Sequence, residues 1–219
     1  MYAYSENFIL VLSHDEVVHL KCSMLGKMPG DKDDKFANLK LAYAYMSGHP
    51  GKKLLFMGQE FGQWNEWSEK KALDWYLLED PSHNELKEFT KACMMLNKKY
   101  KCLYETDYSP EGFRWINAND RDNSVFSFIR ISPDKKRHLL FVLNFTPVER
   151  MHHRIGVPIK GKYKLVLGDD LKNQKKTLTS IHGECDGYKD SLLIDLHRYG
   201  IAVYEFNGDV NAHKPTKIS

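Results

Sequence analysis

The pattern of apolar residues changes near Thr106, and this change constrains the fold more than any other feature of the sequence. Before that point apolar runs alternate with amphipathic segments of helical period, and after it short runs of period two follow one another between turn residues. Alternating strands and helices predict an α/β region, whereas successive short strands predict an antiparallel β-sandwich. We therefore expect an α/β region at 1–105, an all-β region at 106–207 and a polar tail at 208–219.

The α/β region contains one strand–helix–strand unit. The continuous apolar run at 8–12 is typical of a strand covered on both faces, as in a parallel sheet. Residues 33–47 carry acids in the first turn and apolar residues at helical spacing, and Gly48 stands at the end. The run KKLLFMGQEF follows at once and predicts a second strand parallel to the first.

A second helix is predicted at 82–100. Ser82 and Glu85 have the spacing of a capping box. One face of this helix is apolar and is formed by Leu86, Phe89, Cys93, Leu96 and Tyr100.

Two strands are too few for a parallel sheet. Such sheets are buried on both faces and contain several strands, so the strands predicted here have edges without partners in this sequence. The α/β region therefore resembles the end of a larger domain.

Composition and charge exclude several classes of partner. The chain is 42% hydrophobic and 28% charged, as in ordinary globular proteins. The net charge of +3 is spread among acidic neighbours, so no nucleic-acid partner is predicted. Residues 1–8 lack the pattern of a signal peptide, and the apolar runs are shorter than a bilayer span, so we expect a cytoplasmic chain that does not contact a membrane.

The cysteines and glycines indicate no cofactor. The four cysteines have neither C-x-x-C spacing nor a clustered histidine pattern, which favours free, buried thiols over disulfides or a metal site. Neither G-x-x-x-x-G-K nor G-x-G-x-x-G occurs, so a phosphate-binding loop is not predicted.

Polar residues follow the first strand at Ser13-His14-Asp15-Glu16. Chemistry in α/β folds gathers just beyond the carboxyl ends of parallel strands, and an imidazole beside a carboxylate can bind sugar hydroxyls or stabilise developing positive charge. Ser13 and Glu16 also have capping-box spacing, so helix capping is an equally good interpretation of these residues.

A second polar group, Gln59 and Glu60, follows the second strand, and Phe61, Trp64 and Trp67 come shortly after it. Aromatic rings near carboxylates are typical of a carbohydrate groove. A surface acid and aromatic residues that pack in a core explain the same pattern.

Three stretches of the sequence closely resemble one family. They are VLSHDEVVH, KMPGDKDDKFANLKLAYAYMSGHPGKKLLFMGQEFGQWNEW and LDWYLLE. They are similar to the 1,4-α-glucan (glycogen) branching enzymes of the α-amylase superfamily, and a looser likeness continues through the all-β region. The long MPGD-containing block favours branching enzymes over other enzymes of the superfamily.

The resemblance implies a fold and a set of roles. Residues 1–105 would be the last two strands and helices of a (β/α)₈ barrel, and the all-β region would be the C-terminal sandwich of these enzymes. Asp15 would stabilise the transition state, His14 would bind substrate hydroxyls, and Glu60 would support the floor of the active site. We also expect Trp64 to bind substrate, an α-glucan such as glycogen or a linear maltooligosaccharide.

The chain lacks the family's nucleophile and general acid, which lie on earlier barrel strands. It is therefore expected to need the N-terminal part of the same enzyme, and to be inactive alone. The alternative hypothesis is a non-catalytic glucan-binding or scaffolding protein. Trp115 and Tyr163 could then stack on sugars, although core packing is the more common role, and no exposed aromatic triplet is evident in the sequence.

Overall fold

The α/β region folds as one strand–helix–strand unit followed by a second long helix. The computed structural model describes residues 9–18, 20–134 and 136–211. The helices in these ranges are α1 (Met24–Lys27), α2 (Lys32–Gly48) and α3 (Pro81–Lys99). The strands are β1 (Ile9–Leu12), β2 (Lys52–Leu55), β3 (Phe113–Asn117), β4 (Val125–Arg130), β5 (His138–Asn144), β6 (Arg150–Val157), β7 (Lys162–Gly168), β8 (Thr177–Thr179), β9 (Ile181–Cys185), β10 (Tyr188–Leu196) and β11 (Ile201–Phe206).

Strands β1 and β2 pair in parallel as predicted, with Ile9 opposite Lys52 and Leu12 opposite Leu55. The expected coverage on both faces is wrong for this pair, because Ile9 is 56% and Leu54 is 39% exposed. The pair forms a sheet of two strands, so it has open edges and little to cover it. Phe8, the first residue of the predicted strand, lies outside the described residues.

Helix α2 matches its sequence pattern closely. Asp31 caps its N-terminus by accepting a hydrogen bond from the Asp34 N–H at 2.9 Å. The predicted apolar face is buried at Phe36, Leu39, Tyr43 and Met46. The last residue of the helix is Gly48, and the Phe141 ring packs directly against it. A Cβ added at this position would lie only 2.6 Å from that ring.

Helix α3 buries its predicted apolar face, but the predicted capping box is wrong. The N-cap is Asp80, whose carboxylate accepts a hydrogen bond from the Ser82 N–H at 2.9 Å, and Pro81 occupies the first turn. Glu85 instead forms an ion pair with Lys40 of α2, with 3.5 Å between Nζ and Oε2.

The all-β region is an antiparallel sandwich, as predicted. One sheet has six strands in the order β3-β4-β5-β11-β7-β8, and the other has three in the order β6-β10-β9. Seven short apolar runs in the sequence of this region predict seven strands, and all seven are present as β3, β4, β5, β6, β7, β10 and β11. These runs are GFRWI, SVFSFIRI, HLLFVLNF, RIGVPI, YKLVLG, SLLIDL and IAVYEF. Strands β8 and β9 were missed because they are short and largely exposed, so their sequences carry little apolar pattern.

The six-stranded sheet is the central layer of the molecule. One face packs against the three-stranded sheet in a core that includes Ile129, Val142 and Leu192. The other face packs against α2 and α3 in a core that includes Leu39, Phe128 and Phe141. Residues from both sides of Thr106 therefore share one hydrophobic core.

The predicted tail begins as part of the sandwich. Val210 is fully buried, and the Arg114 guanidinium donates to its carbonyl oxygen at 3.0 Å. Residues 212–219 lie outside the described residues. Within the described ranges, no helix combines the length and the apolar character that a membrane span requires.

Candidate functional site

The polar residues after β1 form a single 3₁₀ turn, His14–Glu16. Ser13 caps this turn, since its hydroxyl oxygen accepts a hydrogen bond from the Asp15 N–H at 3.3 Å. The capping interpretation is therefore correct for Ser13, but what it caps is one short turn and not a longer helix. His14 and Asp15 remain available for another role.

His14 and Asp15 lie side by side and face solvent. The His14 Nε2 is 3.2 Å from the Asp15 Oδ1, and the side chains are 57% and 71% exposed. A ring nitrogen and a carboxylate oxygen at this separation offer neighbouring hydrogen-bonding groups to a polyhydroxylated ligand. The arrangement fits the predicted sugar-binding role of both residues.

The ends of β1 and β2 meet at the same edge. The Phe56 N–H donates to the Leu12 carbonyl oxygen at 3.1 Å, which extends the pairing one residue beyond the two strands. The Phe56 ring lies 6.0 Å from the His14 ring, centroid to centroid. Residues that follow β2 are thereby placed next to the turn that carries Asp15.

Glu60 lies in a 3₁₀ turn, Gln59–Phe61, between two glycines with left-handed backbones: φ is 81° at Gly58 and 69° at Gly62. A side chain is strained at such φ values, so both glycines favour this tight reversal. Burial raises the pKa of the Tyr43 phenol, and the negative charge of the half-buried Glu60 raises it further. The Tyr43 hydroxyl is therefore held as a donor, and it donates to the Gln59 carbonyl oxygen at 2.8 Å.

Trp64 packs toward the helices. Its ring meets Phe36 edge-on at 6.2 Å and His83 at 5.9 Å, and the residue is 38% exposed. Phe61 is fully buried, so core packing is the correct interpretation for that residue. Trp67 packs against Phe56 with ring centroids 5.1 Å apart.

Sequence reasoning missed Glu66, which joins the loops after the two strands. Its Oε2 accepts a hydrogen bond from the Leu20 N–H at 3.1 Å, and its Oε1 accepts one from the Cys22 N–H at 2.6 Å. The next residue, Trp67, donates its N–H to the Val17 carbonyl oxygen at 3.1 Å. No local pattern could have indicated Glu66, because its partners lie more than 40 residues away.

The cysteines are all free, as predicted, but only Cys93 and Cys102 are buried; Cys22 is exposed. Within 9–18, 20–134 and 136–211, no group of three or more His, Cys, Asp or Glu residues is placed to hold a metal ion.

The sandwich presents aromatic rings of two kinds. Tyr163 is 1% exposed, and its hydroxyl donates to the Ile159 carbonyl oxygen at 2.7 Å, so it belongs to the core. Trp115 is 37% exposed, and its ring begins a row: it lies 6.3 Å from the Phe126 ring, which lies 5.2 Å from the Phe145 ring. Phe145 is also 36% exposed, whereas Phe126 between them is partly buried, so this row presents two exposed rings.

Comparison with known proteins gives matches for both regions. Residues 115–207 match the family described as "Alpha amylase, C-terminal all-beta domain". The chain is 49% identical over 213 residues to the 1,4-alpha-glucan branching enzyme GlgB of Butyrivibrio fibrisolvens, covering 94% of this chain and 33% of the relative. It is 52% identical over 171 residues to the enzyme of the same name from Aquifex aeolicus, covering 78% of this chain and 27% of the relative.

Among solved structures, the fold resembles that of AmyP in complex with maltose. The TM-score is 0.54 at 15% identity, and the match covers 78% of this chain and 35% of AmyP. The chain thus spans about a third or less of the length of these curated relatives and of the solved structure.

Proposed function

We propose that this chain, a homologue of the C-terminal portion of the 1,4-α-glucan branching enzymes, is the part of such an enzyme that ends its catalytic barrel and carries its C-terminal sandwich. The whole enzyme would cleave an α-1,4 glucan chain and transfer it to a 6-hydroxyl, which forms an α-1,6 branch during glycogen synthesis. The observation that carries this proposal is the 49% identity to a branching enzyme over 94% of the chain.

The first half would contribute the last two strands of a (β/α)₈ barrel. The parallel pairing of β1 with β2, their open edges and the exposed Ile9 and Leu54 support this layout. A groove of about 230 Å³ runs between β2 and the two long helices, and its lining includes Met46, Leu55 and Met94. The N-terminal part of the same enzyme would cover these surfaces, so 1–105 and 106–207 would be the end of one domain and the whole of the next.

The reaction would be a double displacement. A carboxylate of the N-terminal part attacks the anomeric carbon while a carboxylic acid protonates the departing glycosidic oxygen, which leaves a glycosyl-enzyme ester and a shortened chain. The 6-hydroxyl of an acceptor glucan then attacks the same anomeric carbon and displaces the enzyme carboxylate, while its proton passes to the carboxylate that acted as the acid. The two reacting carboxyl groups must stand about 5–5.5 Å apart, and this chain would supply neither of them.

Asp15 would act on the reacting sugar without forming a bond to it. Its exposed carboxylate, at the carboxyl end of β1, can accept hydrogen bonds from sugar hydroxyls and stabilise the positive charge of the oxocarbenium-like transition state. His14, 3.2 Å away, would bind a neighbouring hydroxyl. Both roles require the groups to be held in place before the sugar arrives.

Glu60 and Trp64 would have supporting roles. Glu60 lies after β2 near Tyr43, where its carboxylate would support the floor of the site. Trp64 presents just over a third of its surface, so part of its ring is available to an α-glucan chain. The free cysteines fit an enzyme that works in the cytoplasm.

A hybrid enzyme tests the proposal. The C-terminal part of the Butyrivibrio fibrisolvens enzyme is replaced by this chain, and branching of amylose is followed by the number of α-1,6 linkages formed. We expect an active hybrid and no activity from the chain alone. A hybrid that folds yet forms no branches, beside an active parent enzyme, would refute the proposal.

The sandwich could serve instead as a non-catalytic glucan-binding module, and the observation that favours this alternative is the pair of exposed rings in the row, Trp115 and Phe145. The complete chain should be used, because the sandwich shares a core with α2 and α3 and loses that cover if it is cut out. Retardation on a glycogen gel that Trp115→Ala abolishes, combined with an inactive hybrid, would favour glucan binding alone.

A further inference from the structure

The loop after Asp15 has an unusual backbone. Leu20 and Cys22 both have positive φ, 64° and 62°, a region in which residues other than glycine are strained. The Leu20 side chain is 96% exposed and Cys22 is exposed as well, so packing of these side chains does little to hold the loop. Another interaction must stabilise this shape.

The Glu66 carboxylate supplies that interaction. Its two oxygens accept hydrogen bonds from the N–H groups of Leu20 and Cys22, at 3.1 and 2.6 Å. Backbone N–H groups two residues apart form a concave site for an anion when the chain turns through left-handed conformations, and hydrogen bonds to a carboxylate are among the stronger ones in proteins. The Glu66 carboxylate therefore binds the backbone N–H groups of this loop in the way that an anion binds such a concave site.

The loop in turn contacts the backbone of Asp15. Lys21 lies between the two strained residues, and its Nζ donates to the Asp15 carbonyl oxygen at 2.8 Å. A path of hydrogen bonds therefore runs from Glu66 through the backbone at 20–22 and Lys21 to Asp15. The Val17 carbonyl oxygen is held from the same side by the Trp67 N–H at 3.1 Å.

We propose that Glu66 is a positioning residue, which holds the loop after Asp15 in the shape that presents the Asp15 carboxylate to the reacting sugar. This inference rests on the proposed function. Glu66 would not touch the substrate, and its effect would pass through the loop. A misplacement of a reacting group by about 1 Å can lower turnover by about 100-fold, so loss of this support should be visible in kcat.

The variants are made in the hybrid enzyme described above. Glu66→Ala removes both acceptors, and Glu66→Gln keeps one oxygen that can still accept from one N–H. Glu69→Ala is the matched control, because Glu69 is an exposed glutamate three residues further along the same segment. We expect kcat to fall by about 10- to 100-fold in Glu66→Ala and by less in Glu66→Gln, with little change in KM and none in the control.

Two readouts separate positioning from loss of folded enzyme. Inhibition by acarbose, whose nitrogen mimics the charged transition state, should weaken in parallel with kcat, whereas a smaller folded fraction would leave the inhibition constant unchanged. Hydrogen exchange of the Leu20 and Cys22 amides, measured in this chain, should accelerate in Glu66→Ala and not in Glu69→Ala.

Unchanged exchange at Leu20 and Cys22, or faster exchange with normal kcat, would overturn the inference. A fall in activity with an unchanged inhibition constant would overturn it too. If the hybrid with the unaltered chain is inactive, the proposed function is refuted, and so is the positioning role of Glu66, which depends on it. An active hybrid in which Glu66→Ala leaves kcat unchanged would refute only the positioning role and not the proposed function.

Discussion

Arg130 and Asp107 form a buried ion pair, with 3.0 Å between the guanidinium Nη2 and the carboxylate Oδ1 and at most 1% of either side chain exposed. The same guanidinium donates from Nη1 to the Gly48 carbonyl oxygen at 2.8 Å and from Nε to the Gly112 carbonyl oxygen at 3.2 Å. The Arg130 side chain on β4 is therefore hydrogen-bonded both to the C-terminal end of α2 and to the segment that leads into the sandwich. This pair stabilises the junction on which the two regions meet.

Removal of one partner should destabilise the chain strongly. We expect Asp107→Ala to lower the free energy of unfolding by about 3–5 kcal/mol, because it leaves a buried guanidinium uncompensated. Urea unfolding at pH 7 measures the change. The matched control is Glu105→Ala, which removes an exposed i,i+4 pair with Lys101 and should change the free energy of unfolding far less, because exposed ion pairs stabilise little. Equal effects of the two substitutions would contradict the assigned role.

Asp15 should matter for turnover more than for binding. In the hybrid enzyme we expect Asp15→Asn to lower kcat by about 10²- to 10³-fold, on the scale of losing one preorganised group that stabilises the transition state. His14→Ala should lower it by less, since the imidazole would bind a hydroxyl in both the ground state and the transition state. Steady-state kinetics with amylose measure both, and nearly normal turnover of Asp15→Asn would disprove its role.

His197 should make stability depend on pH. Its Nδ1 lies 2.9 Å from the Asp169 Oδ2, and this hydrogen bond, together with the charges of Asp170 and Glu149, raises the pKa of His197 above its usual 6.5. The folded chain thus holds the proton more tightly than the unfolded chain. The extra stability is complete below about pH 6.5 and disappears as the pH rises through the raised pKa.

His197→Gln should therefore flatten the loss of stability that sets in above about pH 6.5, measured by urea unfolding at several pH values. His153 provides a control of opposite sign, because burial lowers its pKa and protonation then opposes folding. His153→Gln should raise stability below about pH 6.5 relative to the unaltered chain. Parallel pH profiles for all three proteins would contradict both assignments.

The thiols should differ sharply in reactivity. Burial raises the pKa of Cys93 to about 12 and that of Cys102 to about 12, while burial and the neighbouring Asp186 raise the pKa of Cys185 to about 11. Since the thiolate is the nucleophile, iodoacetamide at pH 8 should modify exposed Cys22 first and Cys185 slowly. Cys93 and Cys102 should react only after unfolding. Peptide mass mapping over time checks this order, and early modification of Cys93 would contradict it.

Much of the fold was predictable because burial follows local periodicity. The residues predicted to form the apolar faces of α2 and α3 are all buried, and the seven predicted strands all form. The caps were less predictable, because capping depends on which of several polar residues lies at the first turn. Asp80 and not Ser82 is the N-cap of α3, since Pro81 fits only the first turn of a helix.

The candidate site was predictable in part. His14 and Asp15 could be singled out because they follow the carboxyl end of a predicted parallel strand, where the chemistry of α/β folds gathers, and the structure places their side chains 3.2 Å apart. The hydrogen bonds that hold the loop after this His14–Glu16 turn could not be predicted. Glu66 meets Cys22 across 44 residues of chain, and the strained backbone at Leu20 leaves no mark on the sequence.

The sequence by itself determined the two regions of the chain, its long helices, most of its strands and its relation to the branching enzymes, because periodicity, turn residues and family motifs are all properties of neighbouring residues. Only the tertiary structure decided that one core joins the two regions, that Arg130 bridges them from a buried position, and that Glu66 holds the loop beside Asp15. Those contacts depend on the path of the chain through space, and that path is set by how the helices pack on the six-stranded sheet.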